Sequence, residues 1–388
     1  MSSELLLSEI LIFCGGLGAC PQRFKKMRKR IYQDPYIWEK ITSFENLLLA
    51  FRKAAKGRRS RASVAEFDLN LAENLLALQR ELKEGRYEPG GYISFYIHDP
   101  KKRLISAAPF RDRVVHHALV NFIEPIFERK FIFDTYANRK DKGTHKALDR
   151  ATQFMRRFEY VLPMDIRQYF PSIDHQALEG NLFQTIKEPR TQNLCRQIIA
   201  SGEGVLHEEY EMVFFPNDTL FAANRPRGLP IGNLTSQYFA NIYLNPLDHF
   251  IKRELKCKGY LRYVDDMLLF ANSKKELHLW RNEIISFLEN LRLTIHQNSA
   301  QPRPVHIGVP FLGFQVFSEY RRLKRRKAVH ARRRLKALAA QYCAGEIDEE
   351  KVNASVQAWI AHAEHGDTWG LRENILSQIA FQGASFGA

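Results

Sequence analysis

The stretch Tyr-Val-Asp-Asp-Met-Leu-Leu-Phe at 263–270 sets two adjacent carboxylates, Asp265 and Asp266, between an aromatic–aliphatic pair and an apolar run. With its flanks, GYLRYVDDMLLFAN reads as a hairpin that presents both acids at its turn. Two like charges held there repel and lose solvation, which costs several kcal/mol unless cations sit on them. An oxygen-only donor set suits Mg²⁺. Two such ions about 3.5–4 Å apart activate an attacking hydroxyl and stabilise a leaving pyrophosphate. A third carboxylate is then required from elsewhere in the chain.

LPMDIRQYFPSID supplies one: Asp165 follows the predicted strand EYVLPMDI, and the backbone carbonyl of Ile166 offers a further oxygen. Five residues beyond the acid stands Phe170, a ring placed to close against the sugar of an incoming nucleotide and exclude a 2′-hydroxyl. Between the two acid motifs lies GLPIGNLTSQYFANIYLNPLD. Gly228 and Gly232 free its backbone to approach a base pair, and Ser236 and Gln237 open a helix.

The 388 residues are 45% hydrophobic and carry a net charge of +15, so a folded chain with a sizeable core faces an anionic partner, nucleic acid or an acidic membrane surface. Its 43 Asp and Glu residues set it apart from a disordered basic tail. The five cysteines (Cys14, Cys20, Cys195, Cys257, Cys343) are scattered, without paired zinc-site spacing or a disulfide framework, which fits a reducing cytoplasm. The apolar stretch at 5–20 contains Glu9 and a Gly pair, is too short to span a bilayer, and precedes its basic run; it reads as an irregular N-terminal extension.

Ser43 opens the helix SFENLLLAFRKAAKG, and a second helix, VAEFDLNLAENLLALQRELKEG, ends at Gly85. YISFYIHDPKKRLISA reads as a hairpin turning at Asp99-Pro100, its tip and return strand bearing Lys101, Lys102 and Arg103. RDRVVHHALVNFIEPIFERKF is helical; His116 and His117 on it lack a third metal ligand and read as packing or RNA contact. Later segments alternate helices with short strands, VPFLGFQVF among the strands, and show no βαβ period, so the fold class is α+β. Residues 201–225 look like a β-rich insertion whose acids, Glu208, Glu209 and Glu211, form a solvated face. Ten Lys or Arg between 321 and 336, with no acid, mark a boundary near 318 and suggest phosphate contact. Trp359 and His362 suit nucleotide stacking and helix packing equally.

Taken in order, these motifs resemble the palm of a reverse transcriptase, and more closely the reverse transcriptases of diversity-generating retroelements, within the bacterial and phage, group II intron-like superfamily. The resemblance covers about residues 40 to 380. It implies a right-hand polymerase fold: an N-terminal extension of unassigned function (1–40), fingers with the start of the palm (41–158), the rest of the palm with the 201–225 insertion (159–317), and a helical thumb (318–388). It also implies that Asp165, Asp265 and Asp266, with the Ile166 carbonyl, bind two Mg²⁺ ions, or Mn²⁺ in their place. Phe170 is then the sugar gate. Lys102 and Arg103 touch the incoming nucleotide, as do Ile231, Gly232, Ser236 and Gln237. FLGFQVF matches the primer-grip hairpin. Tyr263, Arg325, Arg326, Arg332 and Arg333 hold the template–primer.

IGNLTSQ marks the subtype, because most reverse transcriptases carry Gln-Gly and Ser-Pro where this chain has Ile231-Gly232 and Ser236-Gln237. The implied function is RNA-directed DNA synthesis with frequent errors opposite adenine, the cDNA replacing a variable region in a target gene. An apolar Ile231 removes a hydrogen bond near the nascent pair and relaxes its geometric check, unless Ile231 is simply core packing. The implied partners are a structured template RNA and the RNA/cDNA duplex, deoxynucleoside triphosphates and a small basic accessory protein, with no membrane. The chain departs from the family in LRLTIHQNSAQPRPVH, which lacks the lysine that relatives often carry for pyrophosphate protonation; His296 or Arg303 substitutes, or the role is unfilled. Three other readings compete. A group II intron type enzyme needs a maturase extension that the length after the primer grip disfavours. A phage-defence reverse transcriptase shares the palm and the acids, and a non-catalytic RNA-binding scaffold is the third.

Overall fold

The structure, a computed structural model, describes residues 34–98, 102–216 and 218–379. The apolar stretch at 5–20, Cys14, Cys20, the Asp99-Pro100 turn and Lys101 lie outside the described residues. Among the described residues no helix is long and apolar enough to cross a membrane. The chain divides into two compact units, one of residues up to 89 with 110–126 and 179–198, the other of 90–109, 127–178 and 199 onward.

The first unit opens with α1 (Ile37–Ile41), α2 (Phe44–Ala55), α3 (Ala62–Leu69) and α4 (Leu71–Lys83). Ser43 caps α2 as its sequence predicts, its hydroxyl accepting from the Asn46 N–H at 3.2 Å. Leu47, Ala50, Phe51 and Ala54, spaced i, i+3, i+4 and i+7, give α2 its buried stripe. The single helix expected over 64–85 is two. Asn70 breaks it at φ −118° and ψ 43°, an example of Asn competing with helical backbone, while Gly85, at φ +70°, ends α4 as expected.

In the second unit β1 (Ile93–Ile97) and β2 (Arg103–Ala107) form the expected antiparallel hairpin, with Ile97 opposite Arg103. The chain continues through α5 (Phe110–Glu128), which passes from the first unit into the second, α6 (Thr144–Arg157), β3 (Tyr160–Asp165) and α7 (Tyr169–Ser172). After these come α8 (His175–Phe183) and α9 (Pro189–Ala200), each shared between the units, and then α10 (Leu234–Arg253), β4 (Gly259–Tyr263), β5 (Asp266–Ala271) and α11 (Lys274–Asn290). Next are β6 (Arg303–Pro304), β7 (Val309–Phe311), β8 (Phe314–Val316) and β9 (Arg321–Leu323), then α12 (Arg325–Cys343), α13 (Glu349–Ala363) and α14 (Trp369–Ser377).

Two antiparallel sheets organise this unit, one in the order β4-β5-β3-β6 and one in the order β7-β8-β9. Alternate residues of the four-stranded sheet, Val161, Leu261, Leu268 and Phe270, pack with Ala147, Leu148 and Phe154 of α6 and with Val309, Phe311 and Phe314 of the smaller sheet. Truncating Phe270, which is fully buried there, is expected to cost about 3–5 kcal/mol. Further along, α12 buries Leu335, Leu338 and Ala339 against Val352 of α13 and Ile375 of α14. Arg325, Arg326, Arg333 and Arg334 stay exposed.

Three local expectations are corrected. VPFLGFQVF is a hairpin, β7 and β8, because Leu312 and Gly313 both take positive φ (45° and 91°), the two-residue turn that joins twisted strands. Residues 201–225 contain no strand among those described. They form turns and two short 3₁₀ helices whose N–H groups bond locally, such as His207 to the Gly204 carbonyl at 3.1 Å, and no strand edge pairs with them. The acids at 208–211 are not merely solvated: Glu209 accepts the Tyr96 hydroxyl at 3.0 Å and Glu211 pairs with Arg167. Burial pushes His116 down to about 3 and His117 down to about 4, so neutral histidines pack within α5. Trp359 also packs, against the α12–α14 cluster, and the His362 ring lies 5.3 Å from that of Phe314.

Candidate active site

Asp165 is the last residue of β3 and Asp266 the first of β5, and the register sets them directly opposite each other. The Asp165 carbonyl already accepts the His296 N–H at 3.0 Å on the far side of β3. Alternation therefore makes 165/266 a non-hydrogen-bonded pair, the type whose Cα atoms stand about 4.5 Å apart with side chains close on one face. The same alternation turns the Ile166 carbonyl toward the β5 side. Asp265 lies in the two-residue loop between Tyr263 and Asp266. Burial and the neighbouring Asp165 push its carboxyl up to about 6, against weaker opposing pulls from its own N–H, Arg103 and Arg262.

The loop is set from behind. Val264 has φ +56°, unusual for a β-branched residue and worth about 1–3 kcal/mol of strain. Its carbonyl accepts from Arg262 Nη1 at 2.8 Å. Arg262 is 1% exposed. It donates to both oxygens of Asp248 on α10, at 2.8 and 2.6 Å, and to Asn241 Oδ1 at 3.2 Å. Tyr260 also donates to Asp248, at 2.7 Å, and Asn241 holds the Ala137 carbonyl at 2.8 Å. None of the sequence motifs points to this network. Its only signal in the chain is an arginine on the apolar face of a strand and an aspartate on the apolar face of a helix, a charged pair that burial forces together.

Arg103, at the start of β2, is near enough to Asp265 to oppose the rise of its carboxyl. Lys102 stands 4.0 Å from the Tyr96 ring centroid. The Ile231-Gly232 segment lies against the same strand. The Ile231 carbonyl accepts the Ser106 N–H at 2.8 Å, and Gly232, at φ +117°, comes so near β2 that a Cβ would sit 3.0 Å from Ile105 Cγ2. Buried Asn233 ties the two together, receiving the Ala108 N–H at 3.0 Å and donating to the Ser106 carbonyl at 2.8 Å. The Ile231 side chain is half-buried. Phe170 is half-buried too, and its carbonyl accepts the Leu229 N–H at 3.0 Å, linking the segment after β3 to this loop. Ser236 is buried in the first turn of α10, and Gln237 beside it is half-buried.

Other expected site residues are dispersed. Tyr263, opposite Asp266, shares a 3.1 Å hydrogen bond with Thr144. Arg325, Arg326 and Arg333 are exposed on α12, whereas Arg332 donates to Asn374 of α14 at 2.7 Å. Of the two candidates for the missing lysine, His296 stands directly opposite Asp165, extending the row Asp266, Asp165, His296 across the sheet. Arg303 is paired with Val161, four residues back along β3.

Among the described residues no three His, Cys, Asp or Glu side chains converge closely enough to enclose a metal ion alone. The acids nevertheless fit an open divalent site. Asp265 is charged only at a cost set by burial and Asp165, a cost that a cation would relieve, and hard oxygen donors match Mg²⁺ or Mn²⁺.

Residues 97–316, which contain all three acids, match the family model described as reverse transcriptase (RNA-dependent DNA polymerase). The protein YkfC of Escherichia coli K12 is 26% identical over 286 residues, 63% of this chain and 72% of that protein. The group II intron-encoded protein LtrA of Lactococcus lactis is 26% identical over 192 residues, 48% of this chain and 29% of that protein. Apo telomerase from Candida tropicalis, truncated from its C-terminal domain, superposes with a TM-score of 0.42 at 12% identity, covering 65% of this chain and 60% of that one. The chain thus spans well under half of LtrA and less than two thirds of the telomerase structure.

Proposed function

The chain belongs to the reverse transcriptase family, with its α+β right-hand polymerase fold, and from that premise we propose that it copies a template RNA into error-prone cDNA for targeted gene diversification. The single observation that carries the polymerase reading is the direct opposition of Asp165 and Asp266 beside Asp265.

In this reading the primer 3′-hydroxyl gives up its proton to solvent and its oxygen attacks the α-phosphorus of a deoxynucleoside triphosphate. A P–O bond forms, the bond to the β-phosphate oxygen breaks, and pyrophosphate leaves. Asp165, Asp265, Asp266 and the Ile166 carbonyl would hold two divalent cations, Mg²⁺ by preference, which when bound would neutralise the charge that builds on the phosphates. Arg103 and Lys102 meet the triphosphate, and the strand that carries Arg103 is registered to the acids' surroundings through Ile231 and Asn233. Phe170 closes on the sugar and excludes ribonucleotides. Tyr263 and the exposed arginines of α12 (Arg325, Arg326 and Arg333) hold the template–primer, and Arg332 supports them through Asn374. The 41–158, 159–317 and 318–388 segments serve as fingers, palm and thumb.

The mutagenic subtype rests on IGNLTSQ. An apolar, half-buried Ile231 on a backbone pinned to Ser106 offers no side-chain hydrogen bond from position 231 to check the nascent pair. A small basic accessory protein and a cytoplasmic location complete the proposal. Its test is to incubate the protein with the RNA transcribed beside its gene, Mg²⁺ and four deoxynucleotides, then sequence the cDNA. Errors gathered at template adenines support it; faithful or untemplated DNA assigns the chain to a phage-defence reverse transcriptase instead, and absent cDNA to a non-catalytic RNA-binding scaffold.

A further inference from the structure

We propose that Arg262 is a positioning residue for nucleotidyl transfer, holding the acid-bearing loop in its strained shape by bonding to the Val264 carbonyl from the buried side of the sheet. The inference deepens the polymerase reading and rests on it. The distances decide the role. The guanidinium makes two bonds to Asp248 and one to Asn241, and it uses Nη1 a second time on the one main-chain oxygen between the strand and Asp265.

A buried ion pair alone contributes little net stability and is often replaceable by apolar groups, so packing does not account for keeping a charge there. The loop supplies an account. A two-residue hairpin loop with positive φ at its first position ordinarily takes Gly, and here it holds Val264. Strained backbone persists only where its surroundings over-determine it. Asp248, itself held by the Tyr260 hydroxyl, fixes the guanidinium plane, and that plane fixes the Val264 carbonyl and with it the direction of Asp265. Because a misplacement of about 1 Å in a reacting group costs about a hundredfold in rate, a rigid support behind the acids has a direct catalytic consequence.

The test is a double-mutant cycle in the full chain, read by single-nucleotide primer extension on an RNA template. Arg262→Lys keeps the charge and the contact with Asp248 but lacks the fork that also reaches Val264. It is expected to lower kcat by about 10- to 100-fold with little change in nucleotide KM or RNA binding. Val264→Gly removes the strain, so adding Arg262→Lys to that variant should cost less than about threefold. Equal losses in both backgrounds, or parallel losses of kcat, binding and folded fraction, overturn the proposal. If Arg262→Lys does not fold, Tyr260→Phe replaces it: a milder kcat loss confined to the Val264 background supports the proposal, and equal effects in both backgrounds overturn it. Absence of extension by the parent chain would refute the polymerase reading instead, a different result from any arm of the cycle.

Discussion

Asp165 and Asp266 face each other across β3 and β5 as a directly paired couple, and Asp265 immediately precedes Asp266 in the loop from β4. No geometry available to two strands brings carboxylates nearer along a sheet, and cross-strand like charges are destabilising. In the proposed reading, bound cations offset that repulsion.

Asp265→Asn should therefore stabilise the metal-free protein while abolishing synthesis. Its carboxyl titrates near 6 in the fold against 3.8 for an ordinary aspartate, so the folded state holds the extra proton between those values and loses stability as pH rises through them. Thermal unfolding at pH 8 is expected to show a gain on the order of 1–3 kcal/mol that fades below pH 4. No gain at pH 8 would mean that the carboxylate is better compensated than the structure indicates.

Protons and cations compete for the same oxygens. The Mg²⁺ concentration giving half-maximal extension should rise as pH falls through about 6 and change little above pH 7. A metal requirement that is flat from pH 5 to 8 would separate Asp265 from the metal site.

Phe170→Ala should admit ribonucleotides, raising their kcat/KM relative to deoxynucleotides by about tenfold or more, the worth of a pocket-wall contact. Unchanged discrimination would place the sugar gate elsewhere.

Ile231→Gln should reduce errors opposite template adenine while leaving total cDNA yield within about threefold, since an amide restores a hydrogen-bonding group at the pair. An unchanged error spectrum would leave Ile231 as packing between α10 and β2.

The paired acids stand out in the sequence because two adjacent carboxylates interrupt an apolar run, and the β1–β2 and β4–β5 hairpins follow from short β-rich runs separated by turn residues. The break at Asn70 is hidden because helical periodicity runs through it, and the aromatic-rich 201–225 stretch imitates strands that have no partner edge. The Arg262 network is invisible for a different reason. Its members, at 241, 248, 260 and 262, are brought together by strand register and by which face of α10 meets the sheet, neither of which a linear pattern encodes. Likewise, only the bridge of Ile166 to Ile295 favours His296 over Arg303 beside Asp165.

If the opposed acids carry out RNA-templated DNA synthesis, removing one must end it while RNA binding survives. The most direct measurement compares primer extension on an RNA template by the parent chain and by Asp165→Ala and Asp265→Ala, with RNA affinity measured in parallel. Extension is expected from the parent, at least about a thousandfold less from either variant because a unit of catalytic groups is broken, with RNA affinity within about threefold throughout. Extension that survives either substitution, or RNA binding that is lost together with synthesis, would contradict it.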